Sequence, residues 1–152
     1  MKTIYKTSIL MLLAIVTLSS CSKKSTPAPS TDISVLATTW STDYWGNVQG
    51  DVLTFSVDKS TAVATVTSVS GNGYGFAAGN VIYSNIKANG DGTFSCSGSY
   101  SPTGSGFSTR SATMSLQNSN TQLTVYYPAI NSSYPAITYI YQQSKGITQE
   151  QE

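Results

Sequence analysis

Groups able to catalyse a reaction are few in this sequence. Histidine, the side chain that most often acts as a general base, does not occur among the 152 residues. Asp43 and Asp51 flank segment 44–47, and two carboxyl groups about 5 to 9 Å apart can hydrolyse a glycosidic bond. A strand end and a loop explain the two aspartates more simply. We therefore expect no catalytic residues and no enzyme activity.

One turn offers oxygen ligands at alternate positions. Asn89, Asp91 and Thr93 have the spacing that opens a calcium-binding loop, but the glutamate that closes such a loop is missing. The same segment reads Asn-Gly-Asp-Gly over 89–92, and Asn-Gly pairs favour tight hairpin turns. We expect a turn here rather than a metal site, and no cofactor.

The two cysteines differ in their surroundings. Cys96 alternates with Phe94 and Tyr100, which predicts a small buried side chain on the apolar face of a strand. A reactive or intermolecular thiol is the alternative for Cys96. Cys21 instead ends an apolar segment near the start of the chain, so its role depends on that segment.

The first 21 residues have the order of an export signal. Lys2 and Lys6 precede an apolar run over 9–18, which is too short to cross a bilayer because a spanning helix needs about 20 residues. Positive, apolar and small residues in this order are typical of a signal peptide, here residues 1–20. The segment ends in Leu18-Ser19-Ser20-Cys21. This sequence resembles the lipobox of bacterial lipoproteins, although Ser20 stands where Gly or Ala is commoner.

The lipobox resemblance implies that Cys21 is the lipid attachment site. Its thiol would receive a diacylglyceryl group, cleavage would occur before it, and an acyl chain such as palmitate would usually modify the new amino group. Two or three chains hold a protein on a membrane firmly, because each buried CH₂ adds about 0.8 kcal/mol. The alternative is an ordinary secretory peptide with a chance cysteine. Ser22 in place of Asp favours the outer membrane of the cell envelope, and the lack of an acidic run after it favours the periplasmic face.

The mature chain is expected to form one small, nearly neutral domain. Removal of residues 1–20 leaves 132 residues with six Lys and Arg against seven Asp and Glu, a net charge of −1. Such a chain lacks the basic face that nucleic-acid binding requires. Lipidation of Cys21 would leave Cys96 without an intramolecular disulfide partner. The polar, proline-containing residues 21–35 predict a flexible linker, and 145–152 a polar tail; the oligomeric state is left open.

Between residues 36 and 144 the apolar side chains recur at every second position, as in β-strands. Turn residues separate eight such runs, at 38–45, 51–58, 61–69, 80–88, 93–101, 110–117, 122–127 and 136–143. Sequential antiparallel strands with short connections form a meander, and eight of them can close into a barrel. The interior of such a barrel is filled by side chains or holds one small ligand. A two-sheet β-sandwich is the alternative.

The strand order and the first strand together resemble the lipocalin-like small lipoproteins of Bacteroidota. Those proteins begin with a Leu-x-Gly-x-Trp signature, and segment 36–40 reads Leu-Ala-Thr-Thr-Trp, with Thr38 in place of the glycine. The resemblance implies an eight-stranded barrel whose bottom is closed by Trp40. The arginine that usually stacks on this tryptophan is absent near the last strand, where Lys145 is the nearby cation.

Aromatic residues at strand ends and in loops are the remaining candidates for a binding site. The predicted ligand-binding residues are Trp40, Tyr44, Trp45, Tyr74, Phe76 and Tyr134. Aromatic rings at a barrel mouth can stack on an apolar or sugar ligand while hydroxyl and amide groups orient it. The alternative is that these rings plug the barrel ends as part of the core.

The combined prediction is a membrane-anchored envelope lipoprotein whose lipocalin-like barrel binds a small apolar or sugar ligand. A different class of function is also open. The protein could be a non-catalytic interaction lipoprotein that binds a glycan or another envelope protein with its outer surface.

Overall fold

A computed structural model describes residues 32–45, 48–71, 75–100 and 106–144, with the backbone alone for 43–45 and 48–50. The predicted signal peptide, Cys21, Tyr74 and the tail over 145–152 lie outside the described residues. A short 3-10 helix, Ile33–Leu36, precedes the first strand. Its side chains pack against the core, with Leu36 fully buried, so the folded domain includes residues of the predicted linker.

The described chain then forms eight strands. Numbered β1 to β8 in chain order, they are Thr39–Trp45, Val48–Asp58, Val63–Ser70, Val81–Ala88, Thr93–Tyr100, Ser108–Gln117, Gln122–Tyr127 and Ile137–Gln143. Each strand is antiparallel to the next, and β8 returns to pair with β1. The predicted all-β meander and its closure into a barrel are confirmed, and the sandwich alternative is wrong.

Closure of the barrel rests on a short β1–β8 contact. Trp40 is opposite Gln143 and Ser41 is opposite Gln142. The side-chain amide of Gln143 donates to the Thr38 hydroxyl at 3.2 Å, and the Ser144 amide donates to the Thr39 carbonyl at 2.9 Å. The Ser144–Thr39 bond satisfies backbone groups that an open sheet edge would leave unpaired, and the Gln143–Thr38 bond adds a side-chain link across the same seam.

The alternation in the sequence decides which side chains enter the barrel. Leu53, Phe55 and Val57 face inward from β2 and are buried, as predicted. Adjacent Tyr126 and Tyr127 face opposite sides, and only Tyr127 is buried. A one-residue slip in strand pairing would move every buried side chain of the strand to the outer face, so the apolar face fixes the strand register.

A meander places alternate connections at opposite ends of the barrel. We call the end that carries the β1–β2, β3–β4, β5–β6 and β7–β8 connections the upper end. The lower end carries the β2–β3, β4–β5 and β6–β7 turns, together with the 3-10 helix. Trp40 closes the lower end: it is fully buried, and its indole N–H donates to the Leu36 carbonyl at 3.1 Å.

The lower turns are stabilised by their own polar side chains. Asp58 accepts hydrogen bonds from the Ser60 amide and hydroxyl at 2.8 and 2.7 Å. Asp91 accepts from the Thr93 amide and hydroxyl at 2.9 and 2.6 Å. Asp-led turns of this kind are common where strands reverse, and Asp91 lies in the turn predicted over 89–92.

Candidate functional site

The predicted ligand-binding residues fall at two ends of the barrel. Trp40 lies at the lower end, where it is enclosed by the core. The backbone places Tyr44 and Trp45 at the upper end of β1, and Phe76 and Tyr134 lie in upper connections. Trp40 therefore does not share a site with the others.

Two of the upper aromatics are described in full and behave differently. Phe76 is buried, and its ring packs on Phe107 with centroids 4.6 Å apart. Tyr134 is 41% exposed, and its loop is held by hydrogen bonds from the Tyr134 amide to the carbonyl and side-chain oxygens of Asn131 at 3.1 and 3.0 Å. Phe76 therefore packs as part of the core, whereas the Tyr134 side chain is accessible to solvent.

The middle of the barrel is occupied by aromatic rings. Phe55 makes edge-to-face contacts with Tyr83 and Tyr141 at centroid distances of 5.4 and 4.9 Å. The two tyrosine hydroxyls lie 2.8 Å apart. Phe55, Tyr83, Tyr141 and the neighbouring Met114 all have 0% of their surface exposed. Because water cannot reach any part of these four side chains, no ligand can lie against them in this conformation.

Arg110 is the functional candidate that the sequence did not reveal. It is the one arginine of the chain, it faces inward from the upper end of β6, and only 7% of its surface is exposed. Its guanidinium carbon lies 5.0 Å from the Tyr100 ring centroid and 5.6 Å from that of Tyr127. Both distances are within the range of cation–π attraction.

Among the described residues, not every nitrogen of the Arg110 guanidinium has a hydrogen-bond acceptor. Nη2 donates to the Pro128 carbonyl at 2.7 Å. Nη1 is buried, and among the described residues it has no hydrogen-bond partner. In the described chain, the contacts of the guanidinium are the Tyr100 and Tyr127 rings and the Pro128 carbonyl. A buried donor left without an acceptor costs about 1 to 3 kcal/mol, so the site favours an incoming acceptor oxygen.

A groove whose lining includes Arg110 opens at the upper end. Its volume is about 330 Å³, and Thr109, Arg110, Ser111, Pro128 and Ile130 line it. Ile130 is 63% exposed, so an apolar wall faces solvent next to two hydroxyl-bearing residues. This combination of an apolar surface with a few polar groups is typical of small-ligand sites.

Inward alternation was the available sequence signal for Arg110. Period-two alternation in the predicted run 110–117 places Arg110 on the same face as Ala112 and Met114, and all three are buried. The predicted strand began at Arg110, where a charged side chain is expected at the barrel rim. In the structure β6 begins at Ser108 and Arg110 pairs with Gly98, which brings the guanidinium inside.

The remaining candidate groups are structural. Cys96 is buried, and burial raises the pKa of its thiol to about 12. It therefore stays a neutral thiol at physiological pH, as predicted for a small buried side chain.

Within the described ranges, no group of three or more His, Cys, Asp and Glu could hold a metal ion.

Asp51 is the acidic side chain described at the upper end. It faces inward from β2, is buried, and lies against Gly71, which has φ +79°. A side chain at Gly71 would be strained by that φ and would overlap the carboxylate. The side chain of Asp43 lies outside what the structure describes, so the pairing of the two aspartates stays a sequence-based expectation.

No protein-family model, curated protein or solved structure matches the chain. Among the described residues, no helix is long and apolar enough to cross a membrane.

Proposed function

We propose that this protein is a non-catalytic, lipid-anchored lipoprotein of the bacterial envelope whose barrel binds a small apolar or sugar ligand at its upper end. The lipobox-like segment Leu18-Ser19-Ser20-Cys21 supports the anchor. The closed eight-stranded barrel supports ligand binding, because this architecture commonly holds a ligand at its mouth. The proposed location is the outer membrane, with the barrel facing the periplasm.

The contrast between the two barrel ends carries the binding proposal. Trp40 seals the lower end, and the packed rings around Phe55 leave no space in the middle. The groove beside Arg110 and Ile130 is open and has both apolar and polar walls. This contrast supports the upper end as the place where a ligand binds.

Nuclear magnetic resonance of the full chain in detergent micelles tests this location. Methyl glucoside serves as the sugar probe and benzyl alcohol as the apolar probe. We expect saturable shifts of the Ala129 and Ile130 signals, with the Trp40 indole signal unchanged. The Trp40 signal is assigned by its loss in Trp40→Phe. Shifts at Trp40 without shifts at Ile130, or no saturable shift with either probe, would contradict the proposal.

The anchor is tested separately from ligand binding. Cys21→Ser should abolish labelling by radioactive palmitate and release the protein from the membrane fraction, because it removes the acyl acceptor. Cys96→Ser is the matched control and should keep both label and membrane association. Continued acylation of the Cys21→Ser protein would contradict the lipoprotein proposal.

Exposed apolar side chains at the upper end favour a second candidate function. Phe107, Ile130 and Tyr134 are each more than one third exposed. These residues could dock the protein on a glycan or on another envelope protein. Phe107→Ser with Ile130→Ser would then remove the protein from a co-purifying complex in its native membrane, whereas Tyr126→Ser on the outer barrel wall would not.

A further inference from the structure

Among the described residues, the two terminal nitrogens of the Arg110 guanidinium have no anionic hydrogen-bond partner. A buried arginine is normally paired with a carboxylate, because removal of its charge from water is costly. Here its contacts in the described chain are two aromatic rings and one carbonyl oxygen, and Nη1 is left over. The surroundings partly stabilise the charge but supply no negative partner.

The positions of the other described charged side chains indicate what kind of ligand suits the Arg110 guanidinium. The two other described cations, Lys59 and Lys87, lie in the β2–β3 turn and near the lower end of β4. Asp32, Asp58 and Asp91 also lie at the lower end, and Asp51 lies against Gly71. Arg110 is therefore the one described positive charge of the upper end, where Asp51 is the one described negative charge, and a single cation suits a ligand with a single negative charge.

We propose that Arg110 binds the carboxylate of a small organic acid whose apolar or aromatic body occupies the groove. The inference rests on the proposed ligand binding at the upper end and names its chemistry. The planar guanidinium fork matches the two oxygens of a carboxylate. Ile130 and Pro128 supply the apolar wall of the groove.

Access to Nη1 requires a small movement of the groove wall. Pro128, Ala129 and Ile130 are exposed and lie outside the strands, so this segment can shift without breaking the sheet. The Tyr100 and Tyr127 rings hold the guanidinium in place during that shift. The positive charge is thus oriented before the ligand arrives, which reduces the entropy cost of binding.

Because Arg110 is the single arginine, its side-chain signal reports ligand binding directly. In the ¹⁵N-labelled full chain in detergent micelles, one Nε–H signal belongs to Arg110 because the chain has no other arginine. Benzoate is the probe, benzamide its neutral counterpart and inorganic phosphate a competing anion. We expect saturable shifts of the Arg110 signal with benzoate and binding at least about tenfold weaker with benzamide or phosphate.

Variants of an exposed residue keep the test independent of folding. Ile130→Asp places a carboxylate beside Arg110 and should weaken benzoate binding about tenfold. Ile130→Asn has nearly the same shape without the charge and should bind benzoate at least several times more tightly than Ile130→Asp. Arg110→Met should abolish benzoate binding, with amide signals of β2 confirming that the barrel is folded.

Three results would overturn the carboxylate site. They are equal binding of benzamide and benzoate, equal or tighter binding of phosphate, and no difference between Ile130→Asp and Ile130→Asn. The first of these would leave the proposed upper-end ligand binding intact. Loss of the proposed function itself would appear instead as failure of methyl glucoside and benzyl alcohol to shift the upper-end signals.

Discussion

The hydroxyl oxygens of Tyr83 and Tyr141 lie 2.8 Å apart in the barrel interior, although the two residues are 58 positions apart in the chain. Neither side chain is exposed. Each ring also packs edge-on against Phe55. The pair therefore joins β4 to β8 across the interior and makes the middle of the barrel part of the structural core.

Tyr141→Phe should lower the free energy of unfolding by about 1 to 3 kcal/mol, because it leaves the Tyr83 hydroxyl buried without this partner. Urea denaturation followed by circular dichroism measures the change. Tyr83→Phe with Tyr141→Phe should cost less than the sum of the single changes, since both polar groups are then removed. Strictly additive costs would show that the two hydroxyls do not interact.

Gly98 is required by the position of Tyr127. A Cβ atom at Gly98 would overlap the Tyr127 hydroxyl and ring. We expect Gly98→Ala to lower the free energy of unfolding by about 1 to 3 kcal/mol, as in other overpacked cores. Thermal or urea unfolding provides the measurement.

Tyr127→Phe is the matched background for the Gly98 test. It removes the oxygen nearest to the added methyl group, so Gly98→Ala should be less destabilising in Tyr127→Phe than in the parent. An equal cost in both backgrounds would contradict the proposed steric cause. Gly79→Ala does not serve as a packing control, because Gly79 has φ +90°.

Alkaline pH should destabilise the barrel, because ionisation of its buried tyrosine hydroxyls and of the Cys96 thiol is unfavourable in the folded chain. Burial raises the pKa of Tyr83 and Tyr141 well above 10.0, and that of Cys96 from 9.0 to about 12. Above these ordinary values the unfolded chain releases protons that the folded chain retains. Unfolding is then linked to proton release, so the free energy of unfolding falls as the pH rises above 9.

Urea denaturation at a series of alkaline pH values measures that slope. Tyr83→Phe with Tyr141→Phe should make the decline above pH 10 shallower, because two of the linked groups are gone. An equal slope in the parent and in the double variant would contradict the assignment.

Acid should weaken two lower turns. Hydrogen bonds from the Ser60 side chain and amide lower the pKa of Asp58, and those from the Thr93 side chain and amide lower that of Asp91. A lowered pKa in the folded state gives stability that is present above the ordinary value of 3.8 and is lost as the pH falls through the folded value. The unfolding free energy should therefore decline below pH 3.8.

Asp58→Asn and Asp91→Asn test the acid effect because an amide accepts hydrogen bonds but does not titrate in this range. The double variant should show a smaller decline in unfolding free energy below pH 3.8 than the parent. An unchanged decline would assign the acid sensitivity to other carboxyl groups.

Local sequence patterns predicted most of the fold. The alternation of Leu53, Phe55 and Val57 identified the inner face of β2, and Asp91 identified a hairpin turn, because both features depend on near neighbours in the chain. The start of β2 at Val48 was missed, since Gln49 and Gly50 carry no apolar alternation. Strand pairing with β1 sets that boundary instead.

The proposed binding site depends on contacts that no local pattern contains. Arg110 lies on β6, Tyr100 on β5 and Tyr127 on β7, so their association requires the sheet register. Aromatic character drew attention to the upper end, where Tyr134 is exposed. It also selected Trp40, whose predicted core role at the barrel bottom agrees with its complete burial.

Intermolecular nuclear Overhauser effects from bound benzoate test the central claim most directly, because they show which protons the ligand touches. Ligand binding at the upper end predicts contacts from the benzoate ring to the Ile130 methyl groups and the Tyr100 ring, with none to Met114 or Trp40. Contacts to Met114 or Trp40 would place the ligand in the barrel interior or at the lower end and would contradict the account.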